Sequence, residues 1–246
     1  MRGYSYFADY YDRLTQNISY GQLAEYLCRL LQKLGHDPGI VLDLACGTGS
    51  LTLDLAQKGI DVYGVDASPE MLSIAQQKAA QQNQQVLFLC QKMQDLDLYG
   101  TVDTVLCTLD SVNHMVQEKD IQAAFQKVSL FLNPGGYFIF DVNTVYKHRE
   151  ILGDHTFVYD LEDIFCVWQN MFYPDTNKVR IHLDFFERED AVYYRRQEEF
   201  LERAYTNGQI TGWLQNAGLT LVDQYDGFTF DSPGDTAERI VYVARK

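Results

Sequence analysis

Positive charge is in short supply in these 246 residues: 20 Lys and Arg stand against 34 Asp and Glu, a formal net charge of −14. A phosphate backbone is repelled by that balance, and no local basic patch is visible, so DNA and RNA lack an electrostatic footprint. Long apolar runs are missing too, with none approaching the ~18 residues of a membrane span. The N-terminus, "MRGYSYFADYYDRL", lacks the basic-then-apolar order of a secretory signal. These absences predict a cytoplasmic protein with no membrane partner. Cysteine is sparse: Cys28, Cys46, Cys90, Cys107 and Cys166 form no CxxC pair. Four of them sit in apolar segments and read as buried thiols, and no metal site is expected. No internal repeat occurs, and "QQKAAQQNQQ" reads as a solvated helix end.

What is present is a rhythm. Leu23, Tyr26, Leu27, Leu30, Leu31 and Leu34 follow three-and-four spacing, so the first ~36 residues read as helical, stopped by Gly35. Strands "IVLDLA", "DVYGVD", "VLFLC", "VDTVLC" and "YFIFDV" then alternate with helices. One helix opens with Ser68 as N-cap and Pro69 at its first position. This alternation predicts an α/β domain with a parallel, doubly wound sheet covered on both faces. After about Asn143 it breaks. "IFCVWQNMFYP", "KVRIHLDFFER" and "AVYYRRQEEFLERAY" are aromatic, β-branched-rich runs separated by "DTN" and "ED" turns, the pattern of antiparallel strands. The divisions are a helical cap at 1–36, a core at 37–150, an antiparallel insertion at 151–205 and a completion of the core sheet at 206–246.

"VLDLACGTGSLT" raises the question of what lies over its glycines. A dinucleotide fingerprint wants G-x-G-x-x-G, and here Thr52 takes the third glycine's place. Asp43, just before the turn, would repel a pyrophosphate at the following helix N-terminus and attract an ammonium instead. An NAD-dependent oxidoreductase is disfavoured on both counts.

"LDLACGTG", "YGVDASPEML" and "LNPGGYFIFDVN" together resemble the class I S-adenosylmethionine-dependent methyltransferases. The first stretch is similar to their (D/E)xGxGxG motif, with Ala45 where the first glycine usually stands. The resemblance implies a Rossmann-like, doubly wound, seven-stranded sheet, mostly parallel with its last strand antiparallel, and an antiparallel β insertion after strand five. It implies S-adenosylmethionine as cofactor and S-adenosylhomocysteine as product. Gly47, Thr48 and Gly49 would bring backbone close to the methionine portion and ribose, Asp43 would favour the ammonium, and Asp66 beside Ala67 would accept the ribose hydroxyls. Met71 packs near the cofactor or in the core. Lys92 stands where relatives place an acid for the adenine amine, which leaves the Met93 backbone and Gln94 or Asp95 to bind the ring. Leu109 and Asp110 mark the segment passing the sulfonium end, and Tyr11 caps the cofactor from the N-terminal helix.

The acceptor is expected beyond the carboxyl ends of strands four and five, near Asp110, His114, Asn143 and Tyr146. His114 is the candidate base, needed only when the nucleophile arrives protonated, whereas His148, His155 and His182 occupy exposed-looking or strand contexts. Trp168, among the insertion's aromatics, lines a pocket or packs a sheet. Arg203 and Tyr205 match a family segment where insertion meets pocket, and Arg203 binds an acceptor carboxylate or pairs with Glu199 or Glu202. The expected reaction is in-line methyl transfer to N or O of a small or medium-sized acceptor. No (N/D)PP(Y/F) signature appears, which argues against DNA amines as targets. The rivals are an RNA- or protein-modifying methyltransferase and a non-catalytic cofactor-binding sensor or scaffold.

Overall fold

The structure is a computed structural model that describes residues 7–15 and 18–246. Helices α1 (Phe7–Leu14) and α2 (Tyr20–Lys33) open the chain. The expected single helical segment is thus two helices, and residues 1–6 and 16–17 of the proposed cap lie outside the described residues. The apolar stripe of α2 buries Leu23, Ala24, Tyr26, Leu27, Leu30 and Leu31, one face of a 3.6-residue period. Gly35, at φ +63°, ends it in the left-handed conformation that glycine tolerates.

The alternating region runs β1 (Ile40–Leu44), α3 (Ser50–Gln57), β2 (Asp61–Asp66), α4 (Pro69–Gln81), β3 (Phe88–Cys90), β4 (Val102–Cys107), α5 (Glu118–Phe131) and β5 (Leu132–Asn143). After the second sheet come α6 (Asn207–Asn216), β10 (Thr220–Asp226) and β11 (Arg239–Arg245). The main sheet has the order β10-β11-β5-β4-β1-β2-β3. Strand β11 runs antiparallel to both its neighbours, while β1, β2, β3, β4 and β5 pair in parallel. Its two faces carry separate apolar clusters: Phe125, Phe138, Phe140 and Leu214 on one, Leu27, Leu30, Ile139 and Val243 on the other. The chain reverses its direction of sheet growth between β1 and β4, which leaves a crevice at their carboxyl ends. Strand β5 starts earlier than "YFIFDV", because "LNPGG" is already extended. A Cβ on Gly136 would lie 2.6 Å from the Asp103 carbonyl oxygen, so only glycine lets the two backbones approach there.

A π-helical turn, Lys147–Leu152, leads into a second sheet in the order β6-β7-β8-β9. Its strands are β6 (Thr156–Asp160), β7 (Ile164–Tyr173), β8 (Lys178–Glu189) and β9 (Val192–Arg203), all antiparallel. Strand β6 is additional to the three runs read from the sequence. The inner face of this sheet (Ile164, Cys166, Val179, Ile181, Phe185) packs on Ala8 and Tyr10 of α1 and Met71 of α4. Helix α1 is therefore held on both sides: Tyr10 stacks on Phe185 at 5.4 Å and Arg13 pairs with Asp163, while Asp12 faces the core. No helix among the described residues is long and apolar enough to cross a membrane.

Candidate active site

Three residues of the turn after β1 are left-handed: Ala45 (φ +64°), Gly47 (φ +55°) and Gly49 (φ +74°). The Ala45 and Cys46 amides both donate to the Val65 carbonyl, at 2.7 and 3.0 Å, which ties the turn to β2. The two glycines do different work. Nothing lies within 4 Å of the position a Cβ on Gly47 would take, so open space stands over the turn at that point. A Cβ on Gly49 would sit 2.8 Å from the Ala75 Cβ and 3.1 Å from Phe88. Gly49 is thus required by close packing against α4 and β3, a role additional to the approach of its backbone to ligand expected from the sequence.

Asp66 closes β2. Its Oδ2 accepts from the Gly47 amide and its Oδ1 from the Ser68 amide, each at 2.8 Å. A carboxylate offers about four lone-pair sites, so each oxygen keeps acceptor capacity for a hydroxyl pair. Burial pushes this acid above the ordinary range, and the amides of Ser68, Gly47 and Ala67 and the charge of His114 pull the other way. Asp43 is buried and accepts from the Thr52 hydroxyl at 2.5 Å. Burial raises it to about 6, with the Thr52 bond lowering it and the Asp66 charge raising it. Thr52, where a dinucleotide fingerprint has glycine, is therefore the partner that holds this acid. Thr48 is buried, and its hydroxyl donates to Asp12 of α1 at 2.7 Å, while Lys78 donates to Thr48 and pairs with Asp12. Tyr11 is half-buried one residue away and hydrogen-bonds with Tyr20. The open volume at Gly47 and the spare capacity of Asp66 fit the cofactor implied by the sequence.

Around this turn, Met71 is buried in the cluster shared by α1 and the second sheet, and the Ala67 carbonyl accepts from the Cys90 thiol at 3.8 Å. Lys92 is exposed beyond β3; Met93 and Gln94 follow it, half-buried, in a 3₁₀ turn, Met93–Asp95.

Beyond β4, Leu109 (φ +57°) and Asp110 (φ +53°) are both left-handed without being glycine. Their strained backbone is held by Asp141 of β5, whose carboxylate accepts the Leu109 amide at 2.7 Å and the Asp110 amide at 2.9 Å. Arg239 of β11 then bridges Asp110, at 2.6 Å, and Asp141. Burial works to raise Asp110, but Arg239, His114 and Lys147 outweigh it and hold the acid below its ordinary range. Burial dominates at Asp141, which stays raised beside Arg239. Lys147 is lowered, first by burial and then by Arg239.

A 3₁₀ turn, Ser111–His114, follows. Asn113 is fully buried, and its Nδ2 donates to the carbonyls of Asn143 and Arg203 at 3.0 Å each, while its Oδ1 accepts the Asn143 amide at 2.9 Å. One side chain thus joins the ends of β4, β5 and β9, and Asn143 serves as a strand-end anchor within that joint. His114 lies beside it, its Nε2 at 3.8 Å from Glu202 Oε1 and its ring 5.4 Å from that of Phe200. Glu202 Oε2 in turn lies 3.3 Å from Nε2 of His148, which is completely buried. His148 is therefore not in the exposed context expected for it. Donor atoms of Asp110, His114 and Glu202 lie within 4.8 Å of one another.

The remaining candidates stand apart from this cluster. Tyr146 is half-buried just before the π-helical turn. The Trp168 indole donates to Asn170 at 2.7 Å, and its ring packs on Phe157 and Tyr159 within the second sheet. Arg203 pairs with Glu118 of α5 at 2.7 Å rather than with Glu199 or Glu202, and its guanidinium lies 5.0 Å from the Tyr205 ring centroid. Tyr205 is buried against Trp213, and its hydroxyl donates to the Met115 carbonyl. Arg203 and Tyr205 thus brace the second sheet on α5. Asp12, Asn113, Asp141, Glu202 and Arg239 were not among the sequence candidates. Only Asp141, an acid inside the apolar run "FIFDV", carried a local signal.

A methyltransferase-domain family model matches residues 41–136. YqeM of Bacillus subtilis, provisionally described as a methyltransferase, is 34% identical over 99% of this chain and 97% of its own length. The crystal structure of an S-adenosylmethionine-dependent methyltransferase from Clostridium acetobutylicum superposes with a TM-score of 0.89 at 34% identity, covering 98% of each chain. A glycine/sarcosine N-methyltransferase of Parasynechococcus marenigrum is 32% identical over 55% of this chain and 50% of that protein.

Proposed function

The chain belongs to the S-adenosylmethionine-dependent methyltransferases, and from that premise we propose that it methylates a nitrogen or oxygen of a small or medium-sized acceptor. The observation that carries this reading is the position of His114. Its ring nitrogen lies 3.8 Å from Glu202 at the end of β9 and within 4.8 Å of a carboxylate oxygen of Asp110 beyond β4, so one imidazole stands with two acids at the carboxyl ends of the strands.

When bound, S-adenosylmethionine supplies an already activated methyl group, which leaves the chain the tasks of alignment, exclusion of water and, where needed, removal of one proton. Asp66 would accept the ribose hydroxyls, the Gly47 backbone and Asp43 would border the amino-acid portion, and Met93 with Gln94 would border the adenine. His114 takes the proton from an acceptor that arrives as an ammonium or a hydroxyl. Glu202, anchored at the end of β9 and backed by His148, holds that imidazole in place and stabilises it once charged. The Parasynechococcus relative is named for small amine acceptors, which supports a small acceptor here. A net charge of −14 supports the same reading against nucleic acid.

Calorimetric titration with S-adenosylhomocysteine, with NAD as control, tests the cofactor half. Transfer of labelled methyl from S-adenosylmethionine to panels of small amines and alcohols, with total RNA in parallel, tests the acceptor half. Binding of the homocysteine product alone, followed by labelling of a small acceptor, is the expected result. Labelling confined to RNA would refute the small-acceptor reading.

A further inference from the structure

We propose that two copies of this chain associate through the outer edge of β9, joining their second sheets antiparallel about a twofold axis at Gln197. Strand β9 is twelve residues long and ends its sheet, paired along its length with β8 and with no other strand among the described residues. A long open edge is a template for a further strand, and proteins either blunt such an edge or use it. This one carries charges of both signs, with Glu198 and Glu202 turned inward, so a like-charged strand is repelled and only a complementary one fits. It carries no proline, and Val192, Tyr193, Tyr194 and Leu201 are all exposed.

The charge order on the strand identifies its partner. Arg195-Arg196-Gln197-Glu198-Glu199 is self-complementary when laid antiparallel on itself. With the axis at Gln197, Arg195 stands opposite the partner's Glu199 and Arg196 opposite the partner's Glu198, both twice by symmetry. Moving the axis by one residue to either side sets Arg196 or Glu198 against its own copy. Charge thus selects one register. Arg195 and Glu199 keep about half of their side-chain surface exposed while touching Asp184, and Arg180 with His182, across the strand. They are therefore accessible to a second chain.

The apolar residues agree with that register. Residues 193, 195, 197, 199 and 201 share one face of β9, and Tyr193 falls opposite the partner's Leu201. Beside Leu201, on this same sheet, lies a cavity of about 540 Å³ lined by Tyr173, Lys178, Arg180 and Glu199. The partner's Tyr193 would be delivered over it. A chain with a charge of −14 repels its own copy over most of its surface, so association requires a patch with both signs interleaved. The edge of β9 is such a patch. Pairing there would also brace the strand whose far end presents Glu202 to His114.

Light scattering on the eluting 246-residue chain tests the proposal. The expected mass is twice 28.3 kDa at micromolar concentration. Glu199→Arg and Arg195→Glu, made separately, each set like charges together twice across the axis and should weaken the dimer on the order of 100-fold. The double variant Arg195→Glu/Glu199→Arg is again self-complementary and should restore it. Two single variants guard against loss of fold in either one, with thermal unfolding as the check. A monomeric native chain, a dimer indifferent to both single reversals, or a folded double variant that stays monomeric would each overturn the proposal.

Discussion

The two halves of the crevice hold their buried acids in different ways. On the glycine-turn side, Asp66 is bonded by Gly47 and Ser68, and Asp43 by Thr52, neighbours no more than 19 residues away in sequence. All of these partners are neutral, so both acids are raised by burial, Asp43 to about 6. On the acceptor side, Asp110 and Asp141 meet Arg239 from 129 and 98 residues away. Neutral partners leave an acid able to titrate and to answer a cationic ligand. A buried arginine holds Asp110 below its ordinary range and, although burial still raises Asp141, ties both carboxylates into one structural unit. The first side is thus suited to respond to what binds, and the second to keep its shape.

The largest effect is expected where that structural role is removed. Arg239→Leu leaves the buried Asp141 and the partly buried Asp110 without their cation and should cost about 3–5 kcal/mol in urea unfolding. A loss below about 1 kcal/mol would mean that the acids ionise no differently on the two sides, and the contrast would fail.

Asp43 sharpens the comparison through pH. Its folded value of about 6 exceeds the ordinary 3.8, so the fold favours the protonated acid. The stability this gives is fully present below about pH 4 and is lost as pH rises through about 6. The difference is worth roughly 3 kcal/mol. Asp43→Asn should remove that slope, read as the difference between the native and variant unfolding free energies from pH 4 to 7.5. Cofactor binding should run in the opposite sense in the native chain, strengthening as Asp43 ionises and can hold an ammonium.

Asp66→Ala should weaken S-adenosylhomocysteine by about 1.5–3 kcal/mol, the usual worth of hydrogen bonds to a charged group, measured by calorimetry. An unchanged dissociation constant would place the ribose elsewhere and detach Asp66 from the binding side. The smallest effect is expected at Ala45→Gly. The left-handed backbone there costs about 1–2 kcal/mol and glycine's extra entropy returns part of it, so thermal unfolding should show a gain of about 0.5–1 kcal/mol. A loss in stability would show that Ala45 contributes packing that outweighs its strain.

The two sides also differ in how far the sequence disclosed them. Strands β2 and β4 appear in the structure with the bounds of "DVYGVD" and "VDTVLC". The Ser68 cap operates as expected, accepting the Met71 amide. Asp66, Gly47 and the left-handed Ala45 sit within one short motif, where local backbone rules suffice. Arg203 shows the opposite case. Its neighbours in the chain, Glu199 and Glu202, looked like its partners, but Glu202 points to the opposite face of the strand, Glu199 lies four extended residues (roughly 13 Å) away on Arg180 and His182, and Glu118 of α5 is what reaches it. His148 looked exposed because a short polar stretch hides a π-helical turn that rotates it inward against Glu202.

By itself the sequence determined the α/β alternation, the glycine turn with its two acids, and a net charge that repels a phosphate backbone. Each of these depends on residues close together in the chain or on a simple sum over it. Only the tertiary structure decided that Arg239 holds Asp110 and Asp141, that Asn113 joins three strand ends, and that Glu202 stands between two histidines. Those contacts arise where β4, β5, β9 and β11 converge, and the pairing of strands so far apart in sequence leaves no periodicity or spacing from which to read it.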